Sequence, residues 1–282
     1  MSWFVFALIA AFLWSLVNLI DKHVIDKELK DPILCSTVYS FMVFIIFFFS
    51  SLAFGLPSFS WQAFLAGLLF SLAIYCYYKA LTSGEVSRVI PLTYLNVLLV
   101  LGIAVVFLGE PLTLLDILGI FLLVAGAGMI TMKKDRAGKV SLLAALSAAV
   151  LFGLRNILVK VSFLSFFSGL FSLSLGTLSF GLVSLLLHHP HLRRKMKRGI
   201  EHLLLSSGLS ALGFFSFVYS VFIGMVSLAT ALVSVQSLFV FMLAVFLSKT
   251  HPKILKEELR GSMLEIKLIS ILLILSGIFL IS

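Results

Sequence analysis

Residues 7–22 read ALIAAFLWSLVNLIDK, and residues 145–160 read ALSAAVLFGLRNILVK. Superposed at an offset of 138, the stretches are identical at eight of sixteen positions, including Asn18 over Asn156 and Lys22 over Lys160. Both are otherwise mostly apolar. Taken alone, the first copy resembles a cleaved leader. It lacks a basic start, however, and its run of about eighteen apolar residues is long for a leader's apolar region. Its echo in mid-chain settles the reading, because a discarded peptide has no reason to recur inside the mature protein. The pair marks a duplicated apolar helix that keeps an amide and an amine four residues apart in each copy.

The rest of the 282-residue chain is of the same kind, 61% hydrophobic and only 12% charged, with a mean hydropathy of +1.18. A soluble domain carries about twice that charge. Crossing the hydrocarbon takes roughly 20 apolar residues, and ten such runs can be read: about 3–21, 33–54, 60–82, 86–108, 113–132, 141–162, 166–187, 202–224, 227–248 and 264–282. Little chain lies outside them, so no soluble domain remains to carry a conventional catalytic site. Short alternating strands are missing, which leaves a helical bundle as the spanning solution. The expected class is all-α integral membrane with ten transmembrane helices, multi-pass in a plasma (inner) membrane.

The net charge of +9 invites a nucleic-acid reading, but its placement argues against one. Basic residues collect in alternate loops: Lys22, Lys27 and Lys30 in one; Lys133, Lys134, Arg136 and Lys139 in the next; Arg193, Arg194, Lys195, Lys197 and Arg198; then Lys249, Lys253, Lys256, Arg260 and Lys267. The loops near 55–59, 163–166 and 225–226 contain neither Lys nor Arg, and 109–112 has only Glu110. Lys and Arg mark the cytoplasmic side, so the charge is a topology signal that places both termini outside. The basic linker 133–140 divides two five-span units, 1–132 and 141–282. Five is odd, so the second unit enters from the opposite face. The units form an inverted repeat, a plan common in secondary transporters, with substrate at the repeat interface near the midplane. Gly119 and Gly126 of the fifth span match Ser270 and Gly277 of the tenth at an offset of 151. Such small-residue faces let helices approach closely. They suit a packing seam, with a homodimer contact as the alternative.

Polar groups inside spans carry the functional signal. An ionisable one costs about 2.5–3.5 kcal/mol on insertion scales and usually faces a cavity or a partner. With the first span starting near Trp3, the midplane of a ~30 Å core falls near Leu13, and Asn18 lies about 7–8 Å beyond it. Asn18 reads as a cavity amide or as an interhelical hydrogen bond, and Lys22 as a site residue or a snorkelling lysine. Asn156 and Lys160 repeat the pair at mirrored depth. Arg155 lies deeper than Lys160 in an apolar run and leads the candidates; its alternative is a buried ion pair, for which no acid sits at matching depth. Adjacent helical positions diverge by about 100°, which assigns Arg155 and Asn156 to different faces. Tyr75, Tyr77, Tyr78 and Lys79 close the third span, and Tyr219 matches Tyr77 in the eighth. They are substrate contacts or an interfacial aromatic belt. In the fourth span Arg88, Pro91, Tyr94 and Asn96 follow, and Pro91 removes a backbone donor, freeing carbonyls near Ser87. Gln236 falls over Tyr94 at an offset of 142. The candidate substrate-binding set is therefore Asn18, Lys22, Tyr78, Lys79, Arg88, Tyr94, Asn96, Arg155, Asn156, Lys160, Tyr219 and Gln236. His188, His189 and His191 lie among arginines and lysines that oppose a cation, so they read as a solvated loop. Cys35 and Cys76 are isolated and suggest neither disulfide nor metal site. No metal or cofactor is expected.

The segment 75–130, YCYYKALTSGEVSRVIPLTYLNVLLVLGIAVVFLGEPLTLLDILGIFLLVAGAGMI, resembles the ten-helix, EamA-like branch of the drug/metabolite transporter superfamily. The likeness rests on the aromatic span ending in KAL, the turn TSGEVSRV leading to a proline, LGEPLT, and the glycine-spaced fifth span. Trp14, Ser15, Asn18 and Lys22 resemble the family's first span. The second half has no GE turn and instead carries SKTHPKILKEELRGSMLE. The resemblance implies a central cavity lined by spans 1, 3, 4, 6, 8 and 9, with spans 5 and 10 packed outside. It also implies cytoplasmic termini in many members, the reverse of the charge bias followed here.

The carboxylates Asp21, Glu85, Glu110 and Asp116 fall at span ends, while the deep charges Lys79, Arg88, Arg155 and Lys160 are basic. A proton antiporter built on a membrane carboxylate is thereby disfavoured. The expected activity is export or exchange, by alternating access, of a small anionic or zwitterionic metabolite: an amino acid, organic acid or sugar phosphate held by charge-assisted bonds. The alternative is a lipid-linked sugar carrier or flippase, which needs a lateral opening. A membrane enzyme needs a clustered nucleophile, carboxylate dyad or metal triad, and no spacing supplies one. The expected partners are the lipid bilayer and a small-molecule substrate, with no nucleic acid, in a monomer or homodimer.

Overall fold

The computed structural model of the chain describes residues 2–53, 58–83, 86–130, 139–162, 166–188, 197–250 and 262–281, and no strand occurs among them. Helix α1 (Ser2–His23) runs into a π-helical turn, Val24–Glu28, followed by α2 (Pro32–Leu52) and α3 (Trp61–Ser83). Then come α4 (Val86–Thr93), α5 (Asn96–Phe107), α6 (Leu114–Ile130), α7 (Lys139–Ser162) and α8 (Phe166–Leu187). The last four are α9 (Lys197–Ile223), α10 (Val226–Val233), α11 (Gln236–Thr250) and α12 (Ser262–Ile281). Among the described residues seven stretches are long and apolar enough to span a membrane: Ser2–His23, Pro32–Leu52, Trp61–Thr82, Leu142–Ser162, Phe166–Leu187, Lys197–Ile223 and Val226–Leu243. Shorter apolar helices cover Asn96–Phe107, Leu114–Met129 and Leu268–Ile281. Large apolar side chains such as Phe107, Leu187 and Phe279 point outward, about four-fifths exposed, as lipid contact requires.

The fourth and ninth apolar runs are not continuous helices. Each is interrupted by one tightened turn, at Tyr94–Leu95 and at Ser234–Val235. The hydrogen bonds match at an offset of 140: Leu95 N to Leu92 O (3.3 Å) and Val97 N to Tyr94 O (3.0 Å), against Val235 N to Leu232 O (3.1 Å) and Ser237 N to Ser234 O (3.1 Å). Such three-residue bonds replace the helical four-residue ladder and mark a change of helix direction. The break registers Gln236 with Asn96, not with Tyr94, correcting the sequence alignment by two residues. Pro91 precedes the first break, yet the second forms without a proline.

Helix ends are closed by charged side chains. Asp31 caps α2 through Ile33 N (3.0 Å) and Leu34 N (3.1 Å), with Pro32 in the first position. His188, at the end of α8, bonds the same carboxylate at 2.8 Å. Glu110 caps α10 by accepting from Val226 N (2.6 Å), Ser227 N (3.2 Å) and the Ser227 hydroxyl. The glutamate of LGEPLT is thus a helix cap.

The helices pack in reciprocal pairs: α1 along α9, α3 along α7, α2 along α8 and α6 along α12. Small residues allow close approach between α6 and α12 and between α3 and α8. A Cβ on Gly119 would lie 3.0 Å from Gly277 O, and one on Gly126 would lie 2.8 Å from Ser270 O. The small-residue faces read from sequence therefore meet within this chain. On α3, a Cβ on Gly67 would collide with Leu173 O at 2.1 Å.

Candidate functional site

A cavity of about 110 Å³ lies between the crossing helices. Helix α1 presents Trp14, Val17, Asn18 and Asp21 to it, and α7 presents Phe152, Arg155 and Asn156. These positions recur at three- and four-residue steps, the stripe one helix face makes. At the offset of 138 they are the same stripe: Trp14 over Phe152, Val17 over Arg155, Asn18 over Asn156. Arg155 and Asn156 therefore both reach the cavity, contrary to the expectation from their 100° separation, because the cavity wraps more than one narrow row. Helix α3 adds Phe70, Ile74 and Tyr77; the broken helices add Tyr94, Asn96, Thr230 and Gln236; Tyr39 enters from α2.

Each asparagine is anchored at one end and open at the other. Tyr77 donates its hydroxyl to Asn18 Oδ1 at 3.0 Å, and Asn18 Nδ2 has no partner. Asn156 Nδ2 donates to Thr230 Oγ1 at 3.2 Å, and its Oδ1 has no partner. Asn18 thus offers a donor and Asn156 an acceptor. The Tyr94 hydroxyl, Asn96 Oδ1, and Nε and Nη1 of Arg155 are also buried without partners. A buried polar atom left unpaired costs about 1–3 kcal/mol, and six such atoms belong to residues lining one cavity.

Arg155 is 4% exposed, and aromatic rings take the place of an ion pair. Its Cζ lies 4.4 Å from the Phe214 ring centre, 5.2 Å from Phe70, 5.3 Å from Phe217 and 5.5 Å from Phe152. Each ring face attracts the cation, by about 2 kcal/mol where water is excluded. The guanidinium edge keeps N–H donors for a ligand. Among the described residues no ion pair joins Arg155 to a carboxylate.

Asp21 is the residue the sequence reading missed. Placed there at a span end, it is 1% exposed and lines the cavity. Tyr78 donates to it at 2.8 Å, and the Ser206 hydroxyl donates to the same oxygen. The π-turn prolongs the helical body past His23, so position 21 is interior rather than terminal. Its signal was the three-residue step from Asn18 along one face. The deep ionisable groups of the site therefore include a carboxyl as well as a guanidinium, which corrects the all-basic reading.

Of the twelve residues expected to bind substrate, the cavity brings together Asn18, Tyr94, Asn96, Arg155, Asn156 and Gln236. Five stand outside it. Lys160 donates to Val221 O (3.1 Å) and Gly224 O (2.5 Å), closing the C-terminal end of α9, because its long stem reaches past the cavity. Lys22 is half-buried in the last turn of α1. Lys79 is exposed, with Nζ 5.7 Å from the Tyr75 ring centre. Tyr78 is fully buried behind Asp21 and supports it. Tyr219 packs edge-on against Phe6 and Phe166. The Arg88 side chain lies outside the described residues, as do Glu85, His189 and His191.

Fold and site define a multi-pass integral membrane protein with a polar cavity between its helices, lined by a guanidinium and a carboxyl group. Residues 1–132 match the model of the EamA-like transporter family, in keeping with the drug/metabolite transporter resemblance of the sequence. An uncharacterized transporter in the cobO 3′ region of Sinorhizobium sp is 40% identical over 63 residues, 22% of this chain. The matched stretch spans 45% of that relative's length. A solved structure described as "Crystal structure of protein" superposes with a TM-score of 0.76 at 17% identity, covering 99% of this chain and 96% of that one. That likeness shows a shared fold.

Proposed function

We propose that the chain is a secondary transporter of ten spans that exports or exchanges a small anionic or zwitterionic metabolite across the plasma membrane. Residues 1–132 and 141–282 form two inverted five-helix halves joined by 133–140. The substrate carboxylate or phosphate sits on Nε and Nη1 of Arg155 and on Asn18 Nδ2. Asn156 Oδ1, Asn96 Oδ1 and the Asp21 carboxylate receive its ammonium or hydroxyl groups. The halves rock about this site and open it to each face in turn.

The observation that carries this reading is the set of unpartnered buried polar atoms around one cavity. Reciprocal helix pairing supports the two-half architecture: α1 with α9, α3 with α7, and self-matched α2 with α8 and α6 with α12. The matched breaks at Tyr94–Leu95 and Ser234–Val235 support it as well.

The test is substrate exchange in proteoliposomes, after a thermal-shift screen of small metabolites has found the ligand by mass-action stabilisation. Arg155→Ala should reduce affinity for carboxylate or phosphate solutes at least tenfold. Unchanged exchange of every anionic and zwitterionic hit would overturn the assignment.

A further inference from the structure

The end of α1 and the start of α9 bring together two histidines and a glutamate that the transport reading does not use. His23 closes α1, Glu28 closes the π-turn and His202 lies in the second turn of α9. Glu28 Oε1 is 3.7 Å from His23 Nε2, and Glu28 Oε2 is 3.0 Å from His202 Nδ1. One ligand atom from each residue lies within 4.8 Å of the other two. The histidine rings are edge-on, with centres 5.9 Å apart.

Two local features build this cluster. In an α-helix, residues five apart are turned about 140° from one another. The π-turn, closed by Leu29 N to Val24 O at 3.0 Å, winds more loosely and returns position 28 toward position 23. Gly199, one turn before His202, gives Glu28 room: a Cβ on Gly199 would stand 2.8 Å from Glu28 Cβ. The side chains of His23 and His202 are 43% and 42% exposed, and that of Glu28 is 14% exposed. The cluster is open to an ion from water.

We propose that His23, Glu28 and His202 form a site for a divalent transition-metal ion of the zinc class. Two imidazoles and one carboxylate match the ligand preference of Zn²⁺ and its neighbours, whereas Mg²⁺ and Ca²⁺ take oxygen ligands. Bonds of about 2.0–2.1 Å in tetrahedral geometry set ligand atoms roughly 3.3 Å apart. Small rotations of the exposed imidazoles close the observed spacing. The fourth position faces water. Occupancy exchanges the Glu28–His202 hydrogen bond for metal bonds and fastens the α1 π-turn to α9, contributed by the other half of the chain.

The experiment is a calorimetric Zn²⁺ titration of the purified full chain in detergent, with any affinity tag removed. It is run in a His189→Ala, His191→Ala background so that the neighbouring histidine-rich segment does not contribute. One equivalent should bind per chain, and the melting temperature should rise with Zn²⁺ and not with Mg²⁺. His23→Ala, Glu28→Gln and His202→Ala should each weaken binding at least tenfold. His188→Ala, whose partner is Asp31, should leave it unchanged. Should a variant melt lower in chelator, His202→Gln replaces it, removing the imidazole while keeping a polar side chain of similar length. The site is overturned by absence of the equivalent, by its retention in all three variants, or by Mg²⁺ binding as tightly as Zn²⁺.

Discussion

At the scale of single residues, the two copies of the opening stretch differ where chemistry differs. Arg155 replaces Val17 and Asp21 replaces Val159. Each copy of the stretch therefore contributes one ionisable group to a lining of amide, aromatic, hydroxyl and aliphatic side chains. Unlike charges about a shared cavity suit a solute carrying both signs, and the rings around Arg155 let it remain cationic without consuming Asp21. Asp21→Asn separates the anionic from the zwitterionic reading. The amide oxygen still accepts from Tyr78 and Ser206, so the fold is retained while the negative charge is lost. Affinity for zwitterionic ligands should fall at least tenfold, and affinity for purely anionic ones should hold or rise. Equilibrium binding to both ligand types checks this. Loss of both classes in parallel would show that Asp21 serves packing alone.

At the scale of elements, helix ends and crossings carry roles that were hidden in the sequence. Lys160 looked like the partner of Asn156, because duplication preserved both. Its ammonium instead satisfies terminal carbonyls of α9. Lys160→Met keeps the stem and removes the donor, which should cost about 1–3 kcal/mol of stability by stranding those carbonyls while ligand affinity stays unchanged. Thermal melts paired with binding isotherms distinguish this from a site role. The α6–α12 seam gives a second expectation. Gly126→Val drives a side chain into Ser270 O and Ile274, an overpacking worth about 1–3 kcal/mol. Gly102→Ala meets nothing within 4 Å and should be neutral or stabilising by up to about 1 kcal/mol. Equal melting temperatures for the two glycine variants would refute the seam. The apolar runs, the duplicated stripe and the small-residue spacing were legible because periodicity and composition encode them directly. The breaks in the fourth and ninth runs were not, since Ser234–Val235 has no local breaker and its turn is set by the tertiary fit. Asp21 and the His23–Glu28–His202 cluster stayed hidden for a related reason. A π-turn changes which residues share a face, and His202 arrives from 174 positions beyond Glu28.

At the scale of the whole molecule, packing sorts the described loop residues by charge. The basic 22–31 segment meets the end of α8 and the start of α9 at one end, where His188 bonds Asp31 and His202 bonds Glu28. Described residues of the loops without Lys or Arg meet at the other. There Ser58 N donates to Ser168 Oγ at 3.2 Å, and Glu110 reaches the Val226 turn. Trp3 O accepts from Ser220, and a Cβ on Gly119 would touch Ile281, so both chain ends lie toward this uncharged end. Segregation of this kind gives the proposed orientation a physical basis, because a membrane retains Lys and Arg on the cytoplasmic face. With Cys35 and Cys76 replaced by serine, the exposed residues Ser58 and Lys30 become single-cysteine reporters. An impermeant maleimide should label Ser58→Cys in intact cells and Lys30→Cys only after permeabilisation. The opposite pattern would invert the molecule and place the basic end, with its His23–Glu28–His202 cluster, outside the cell.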